Sequence, residues 1–323
     1  MYRSFYGLLL LLLCLAVSGT LYGVGPTSPP VEHSCSMRFP DALKSGNYTF
    51  RIPFTWVGRL PAVKAKVDTA SGIFLFDTGA EKLLLNNRLF SGDVQLTGMK
   101  QYGVTGGNDA VFSKKVDTLK WENLYLPNLT ANVLSLSHIE KARNISIVGI
   151  IGYEVFKDYE VLLDYGAQLI VLTKLDKNGY RYDPNAFLEA PVDSLDFELA
   201  RHGVVLRGEV NNKTLKLHLD SGAEINLLDR LVSAKVLKQF TILKRVNLLG
   251  AGENKVEVLA GTLAGVLVDQ QPCDTMRTLL TNLDDLSLIL GTRVDGVLGF
   301  EYLRPRRVVI NYTRKKLFFL KPL

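Results

Sequence analysis

Two aspartates carry the strongest chemical signal in this chain. Asp77 closes the apolar run Phe74-Leu75-Phe76 and is followed by Thr78-Gly79-Ala80-Glu81. Asp220 closes Leu217-His218-Leu219 and is followed by Ser221-Gly222-Ala223-Glu224. Each motif sets a carboxylate at a strand end, ahead of a glycine free to take a tight turn. One such Asp-x-Gly is ordinarily a turn cap. Two of them, 143 residues apart and each continuing to a Leu-Leu pair (Leu84-Leu85, Leu227-Leu228), mark a duplicated unit. A pseudo-twofold relation between the copies would bring Asp77 and Asp220 together, where neighbouring carboxylates cannot both be charged. Such a pair offers one acid and one base to the same reacting group.

The elements that must position them repeat as well. Val148-Gly149-Ile150-Ile151-Gly152 is matched by Asp295-Gly296-Val297-Leu298-Gly299, 75 and 79 residues after Asp77 and Asp220 (Asp to final Gly). Upstream of each Asp the pattern is a hairpin: Ala62–Val67 turning at Asp68–Gly72 into Ile73–Phe76, and Val204–Val210 turning at Asn211-Asn212 into Leu215–Leu219. Each copy closes with strand, turn and strand, Val161–Gly166 into Leu169–Leu172 and Val308–Thr313 into Leu317–Leu320. Helix is confined to Leu134–Arg143, Leu283–Leu290 and a turn after Gly152 and Gly299. The expected fold is therefore all-β and bilobed, with two homologous barrel-like lobes and the site between them. The lobes are read as 46–175 and 196–323, joined by a turn-rich connection at 176–195.

On these motifs the chain resembles the aspartic proteases, and within them the retropepsin-like branch fused into a single bilobed chain. The resemblance spans residues 46–323. It implies the acid-protease fold, with Asp77 and Asp220 as the catalytic pair. It also implies that Thr78 and Ser221 brace the two loops against each other, with Gly79, Ala80, Gly222 and Ala223 completing them. Ile150-Ile151-Gly152 and Val297-Leu298-Gly299 would buttress the loops from behind. The implied reaction is hydrolysis of a peptide or unfolded-protein substrate by a water activated between the carboxylates, without a covalent intermediate, metal or organic cofactor. One chain holding both halves is expected to work as a monomer. Glycine-bearing hairpins around Gly106 and Gly107, and around Gly250 and Gly252, are the candidate flaps over the cleft. Alanine after each loop glycine offers no hydroxyl to the carboxylate, so activity is expected at mildly acidic to neutral pH. The rival reading is a non-catalytic peptide- or protein-binding relative with the same fold. Two aligned carboxylates, each with an intact hydroxyl residue and glycine, argue against it.

Composition narrows the remaining classes. The 323 residues are 47% hydrophobic and 22% charged, which excludes wholesale disorder. The net charge of +6 is mostly scattered and gives no case for nucleic-acid binding. A cluster at Arg304, Arg306, Arg307, Arg314, Lys315 and Lys316 reads as a solvated strand edge, with a face for an anionic membrane surface or an acidic substrate as the alternative. Residues 1–25 have the charged start, apolar run and small-residue end of a secretory signal peptide, followed by a linker at 26–45. The expected location is secreted or periplasmic, with membrane contact only if the apolar segment is retained as an anchor. Loss of that segment removes Cys14 and leaves Cys35 and Cys273, which either bridge or stay as two buried thiols. The four histidines form no zinc pattern, and Leu248–Gly252 lacks the third glycine of a dinucleotide loop. His218, two residues before Asp220, reads as packed or solvent-facing, with a role around the carboxylates as the alternative.

Overall fold

The computed structural model describes residues 8–9, 14–16, 43–45, 47–102, 110–121, 123–186, 189–249 and 255–321. It is an all-β, bilobed protein with five short helices among those residues. Leu60–Val67 is buried throughout its first half and then alternates from Lys64 to Val67, where one face turns to solvent with the two-residue period of a strand.

In the first lobe the strands run, in spatial order, Gln95–Tyr102, Ala110–Trp121, Leu124–Leu134, Leu83–Asn86, Gly149–Ile151, Ala70–Phe76, Leu60–Val67 and Thr55–Val57. Pairing of Leu119 with Val67 and of Lys120 with Lys66 curls this sheet back on itself. The second lobe repeats the order with Phe240–Leu249, Lys255–Leu263, Met276–Thr281, Asn226–Asp229, Gly296–Leu298, Lys213–Leu219 and Gly203–Val210. Its hairpin turns at Asn211 and Asn212, both left-handed (φ 48° and 58°), the conformation a two-residue hairpin turn requires and asparagine tolerates. The first-lobe turn is tighter than Asp68–Gly72. Leu60–Val67 pairs with Ala70–Phe76 because Asp68 takes φ 51° and its Oδ1 accepts the Thr118 amide at 3.0 Å.

The helices stand near their expected places. Ser137–Arg143 starts later than Leu134, which still pairs with Asn86 as the last residue of its strand. Asp284–Leu290 ends on Gly291 at φ 68°, a left-handed cap. Tyr153–Phe156 and Phe300–Leu303 follow Gly152 and Gly299, and the single turn Ala234–Leu237 is an addition. Among the described residues no helix is long and apolar enough to cross a membrane. Cys35 and the flap positions Gly106, Gly107, Gly250 and Gly252 lie outside the described residues. Leu8–Leu9 and Cys14–Ala16 pair with Gln101–Tyr102 and Asn247–Leu249.

A third sheet joins the lobes. Tyr159–Asp164 of the first pairs antiparallel with Arg307–Asn311 of the second, with Leu162 opposite Val309. Lys316–Leu320 and Asp193–Asp196 extend it on one side, Leu169–Lys174, Thr49–Pro53 and Leu43–Ser45 on the other. Its second-lobe edge strand thus begins at Asp193, inside the segment read as the connection. Leu162 and Val309 pack with Val171 and Leu320 on one face, while Val161, Leu163, Val308 and Ile310 enter the main core on the other. Across this junction Arg307 Nε donates to Asp164 Oδ2 at 2.6 Å and Asn311 Nδ2 to Glu160 Oε1 at 2.8 Å. The lobes also exchange aromatic rings: Tyr165 packs on Phe300 at 6.1 Å and Tyr312 on Tyr153 at 5.0 Å. Leu162→Ala removes side-chain volume at the centre of the joint. We expect it to cost about 3 kcal/mol, read as a lower urea midpoint; a loss under about 1 kcal/mol would show that the joint adds little.

Candidate active site

The two aspartates leave their strands at matched points. Asp77 follows Ala70–Phe76 and its amide donates to Ile151 O; Asp220 follows Lys213–Leu219 and its amide donates to Leu298 O, both at 3.0 Å. Gly149–Ile151 and Gly296–Leu298 run parallel to these strands. Behind them Gly152 and Gly299 press on the loop backbones: a Cβ there would strike Ala80 O and Lys82 O, or Ala223 O. The amides of Tyr153 and Phe300 complete the support, donating to Ala80 O and Ala223 O at 2.8 Å each.

The loops meet across the lobe interface. The Thr78 amide donates to Ser221 Oγ at 3.0 Å and the Ser221 amide to Thr78 Oγ1 at 2.9 Å, while Ser221 Oγ donates to Phe76 O at 3.2 Å. A Cβ on Gly79 would fall against the Asp220 carboxyl and one on Gly222 against the Asp77 carboxyl, so each glycine makes room for the opposing acid. All eight predicted loop residues therefore come together.

Both carboxyls are fully buried. Asp77 Oδ1 accepts the amides of Gly79 at 2.8 Å and Ala80 at 3.2 Å. Asp220 Oδ1 accepts the Gly222 amide at 2.7 Å. Each Oδ2 carries no hydrogen bond from a described group. Burial raises the Asp77 carboxyl above its ordinary range, against the lowering pull of Asp220 and the two amides. Asp220 stands well above that range, raised by burial first and then by the Asp77 charge, against the lowering pull of the Gly222 and Gly79 amides. Below the pair lie two buried tyrosines at matched positions, Tyr165 and Tyr312; burial raises both, and the two aspartates push them further.

The flanks of the two loops differ. On one side Arg59 of the first lobe donates from its amide to Glu224 Oε1 (3.2 Å) and from Nη1 to Glu224 O (3.4 Å) and Glu301 Oε1 (2.9 Å). Arg143, also of the first lobe, pairs with the buried Glu224 carboxylate. On the other side stands His202, 2% exposed, whose Nε2 lies 3.1 Å from Gly79 O. His218 is also buried, with Nδ1 3.2 Å from Val204 O, so it is a packed residue. Arg59, Arg143, His202, Tyr165 and Tyr312 are additions to the predicted set. The 143-residue offset aligns Arg59 with His202 and the later 147-residue offset aligns the two tyrosines, so the repeat held a signal for four of them. Among the described residues no group of three or more His, Cys, Asp or Glu side chains could hold a metal ion. No family model matches this chain and no curated protein shows significant similarity to it.

Proposed function

We propose that this protein is an aspartic endopeptidase of the retropepsin-like kind, acting on extended segments of peptides or unfolded proteins. The observation that carries the reading is the juxtaposition of two buried carboxyls on loops that exchange Thr78 and Ser221 hydrogen bonds, each with one oxygen uncommitted. A shared proton is the low-energy state of such a pair.

Asp77, whose Oδ1 accepts the Gly79 and Ala80 amides and whose carboxyl is raised less than that of Asp220, is the ionised member, and Asp220 holds the proton. Asp77 removes a proton from a water lying between the free oxygens, and the water oxygen attacks the carbonyl carbon. Asp220 delivers its proton to the carbonyl oxygen, giving a tetrahedral diol with no bond to the enzyme. The proton gained by Asp77 then passes to the amine as the C–N bond breaks, and a diol proton returns to Asp220. The fully buried setting strengthens each of these interactions.

The rate should rise as the first proton leaves the pair and fall as the second leaves. Burial raises both carboxyls, so both limbs move toward neutrality. The test is a pH–rate profile on a denatured-protein substrate, with hydroxylamine present to trap any acyl-enzyme. A mildly acidic to neutral optimum with no hydroxamate product is expected. A profile peaking only at about pH 2–3, or a trapped acyl-enzyme, would overturn the reading.

A further inference from the structure

The twofold relation between the loops is broken at one peptide group. His202 Nε2 faces Gly79 O, an acceptor only, so that nitrogen carries the hydrogen. The same peptide unit presents the Ala80 amide, which donates to Asp77 Oδ1 at 3.2 Å. A hydrogen bond to the carbonyl end polarises the unit and strengthens its N–H end. In the second lobe the corresponding amide, Ala223, donates to the backbone carbonyl of Asp220 at 3.4 Å instead of to its carboxylate. The residue matched to His202 is Arg59, which is engaged with Glu224 and Glu301.

We propose that His202 is a positioning residue that acts across the lobe interface through the Gly79–Ala80 peptide group to make Asp77 the ionised member of the pair. The inference rests on the endopeptidase reading only for its effect on turnover; the relay itself is a property of the fold.

The histidine is suited to the task because it stays neutral. Burial depresses it to about 4, with the Gly79 bond pulling the other way and Arg201 adding to the depression. Its neighbour His218, held at about 3 by burial and by His202, is neutral as well, and the Tyr153 ring lies 6.5 Å away. Around Asp77 itself the ionisable groups are Asp220, Tyr165 and Tyr312. The histidines are already neutral above their depressed values and burial raises both tyrosines above their ordinary range, so a limb that moves in a His202 variant reports on the carboxyl pair.

The experiment compares the full chain with His202→Leu, which removes the donor, and His202→Gln, which supplies an amide N–H of similar reach. His202→Leu should lower kcat about tenfold with KM nearly unchanged and move the acidic limb of the kcat profile up; His202→Gln should recover most of both. A folded His202→Leu with an unmoved profile, or a His202→Gln as impaired as His202→Leu, would overturn the proposal. Two readouts need no turnover. In 15N-labelled wild type the His202 imidazole should hold its hydrogen on Nε2 from about pH 8 to 5, and a hydrogen on Nδ1 would refute the relay. In 13C-labelled protein the Asp77 carboxyl should titrate higher in His202→Leu. If these two results hold in a protein that cleaves nothing, the relay stands and the endopeptidase reading fails.

Discussion

Asp77→Asn and Asp220→Asn should each abolish peptide-bond hydrolysis while making the folded protein harder to unfold at neutral pH. On the endopeptidase reading, the kinetic part follows from losing the base or the acid of the pair, worth a fall of about 10²–10⁴-fold or more in kcat. The stability part follows from the direction of the shifts. Both carboxyls lie above their ordinary value of 3.8 in the folded chain, so between that value and the raised ones the native state holds more protons than the unfolded state. Their contribution to stability is fully present below 3.8 and is lost as pH rises through the folded values. Asparagine has no proton to lose, so the gain of the variants should grow from acid to neutral pH. Urea titrations at a series of pH values would show it. Cleavage that survives both substitutions would remove the catalytic assignment; variants destabilised equally at every pH would mean that the amide disturbs packing. The buried histidines work in the opposite sense. Depressed from 6.5 to about 4 and about 3, they lend stability above 6.5 that is lost as pH falls through the folded values.

The second large effect is expected at Glu224, on the far flank of the Asp220 loop. Its carboxylate is almost wholly buried against Arg143 and the Arg59 amide. Glu224→Ala leaves Arg143 without its charge partner in the interface, and removal of one member of a buried pair costs about 3 kcal/mol. Glu81 occupies the matched place in the first lobe, is only half-buried and enters no ion pair among the described residues. Glu81→Ala should cost less than about 0.5 kcal/mol. Equal losses for the two variants, measured by denaturation under one set of conditions, would show that the Arg59–Glu224–Arg143 group does not tie the lobes together.

What was legible in the sequence was local and repeated. Asp-Thr/Ser-Gly-Ala recurs with its flanking strands at a constant offset, and Asn211-Asn212 names its own turn, so the strands, the loops and the pairing of Asp77 with Asp220 could be read. Ala234–Leu237 is too short to show a helical period. The contacts of Arg59 with Glu224 and of His202 with Gly79 join residues 165 and 123 positions apart, and they exist only because the lobes dock. They are harder to see for a further reason: the matched positions hold different residue types, so an alignment of the two halves shows a mismatch where the two flanks differ. The closing strands were visible in each copy, but neither copy says that Leu162 will sit opposite Val309 in a common sheet.

That common sheet constrains how the molecule can move. Five consecutive residue pairs, from Glu160↔Asn311 to Asp164↔Arg307, fasten one lobe to the other beneath the aspartates. A jaw-like swing of the lobes would have to shear a continuous backbone ladder and part the Arg307–Asp164 bridge, whose side chains are 14% and 3% exposed. Such a floor is a weld, not a hinge. On the endopeptidase reading, the elements left to bend and admit a long chain are the arms Gln95–Tyr102 with Ala110–Trp121 and Phe240–Leu249 with Lys255–Leu263, while the loops below stay in register.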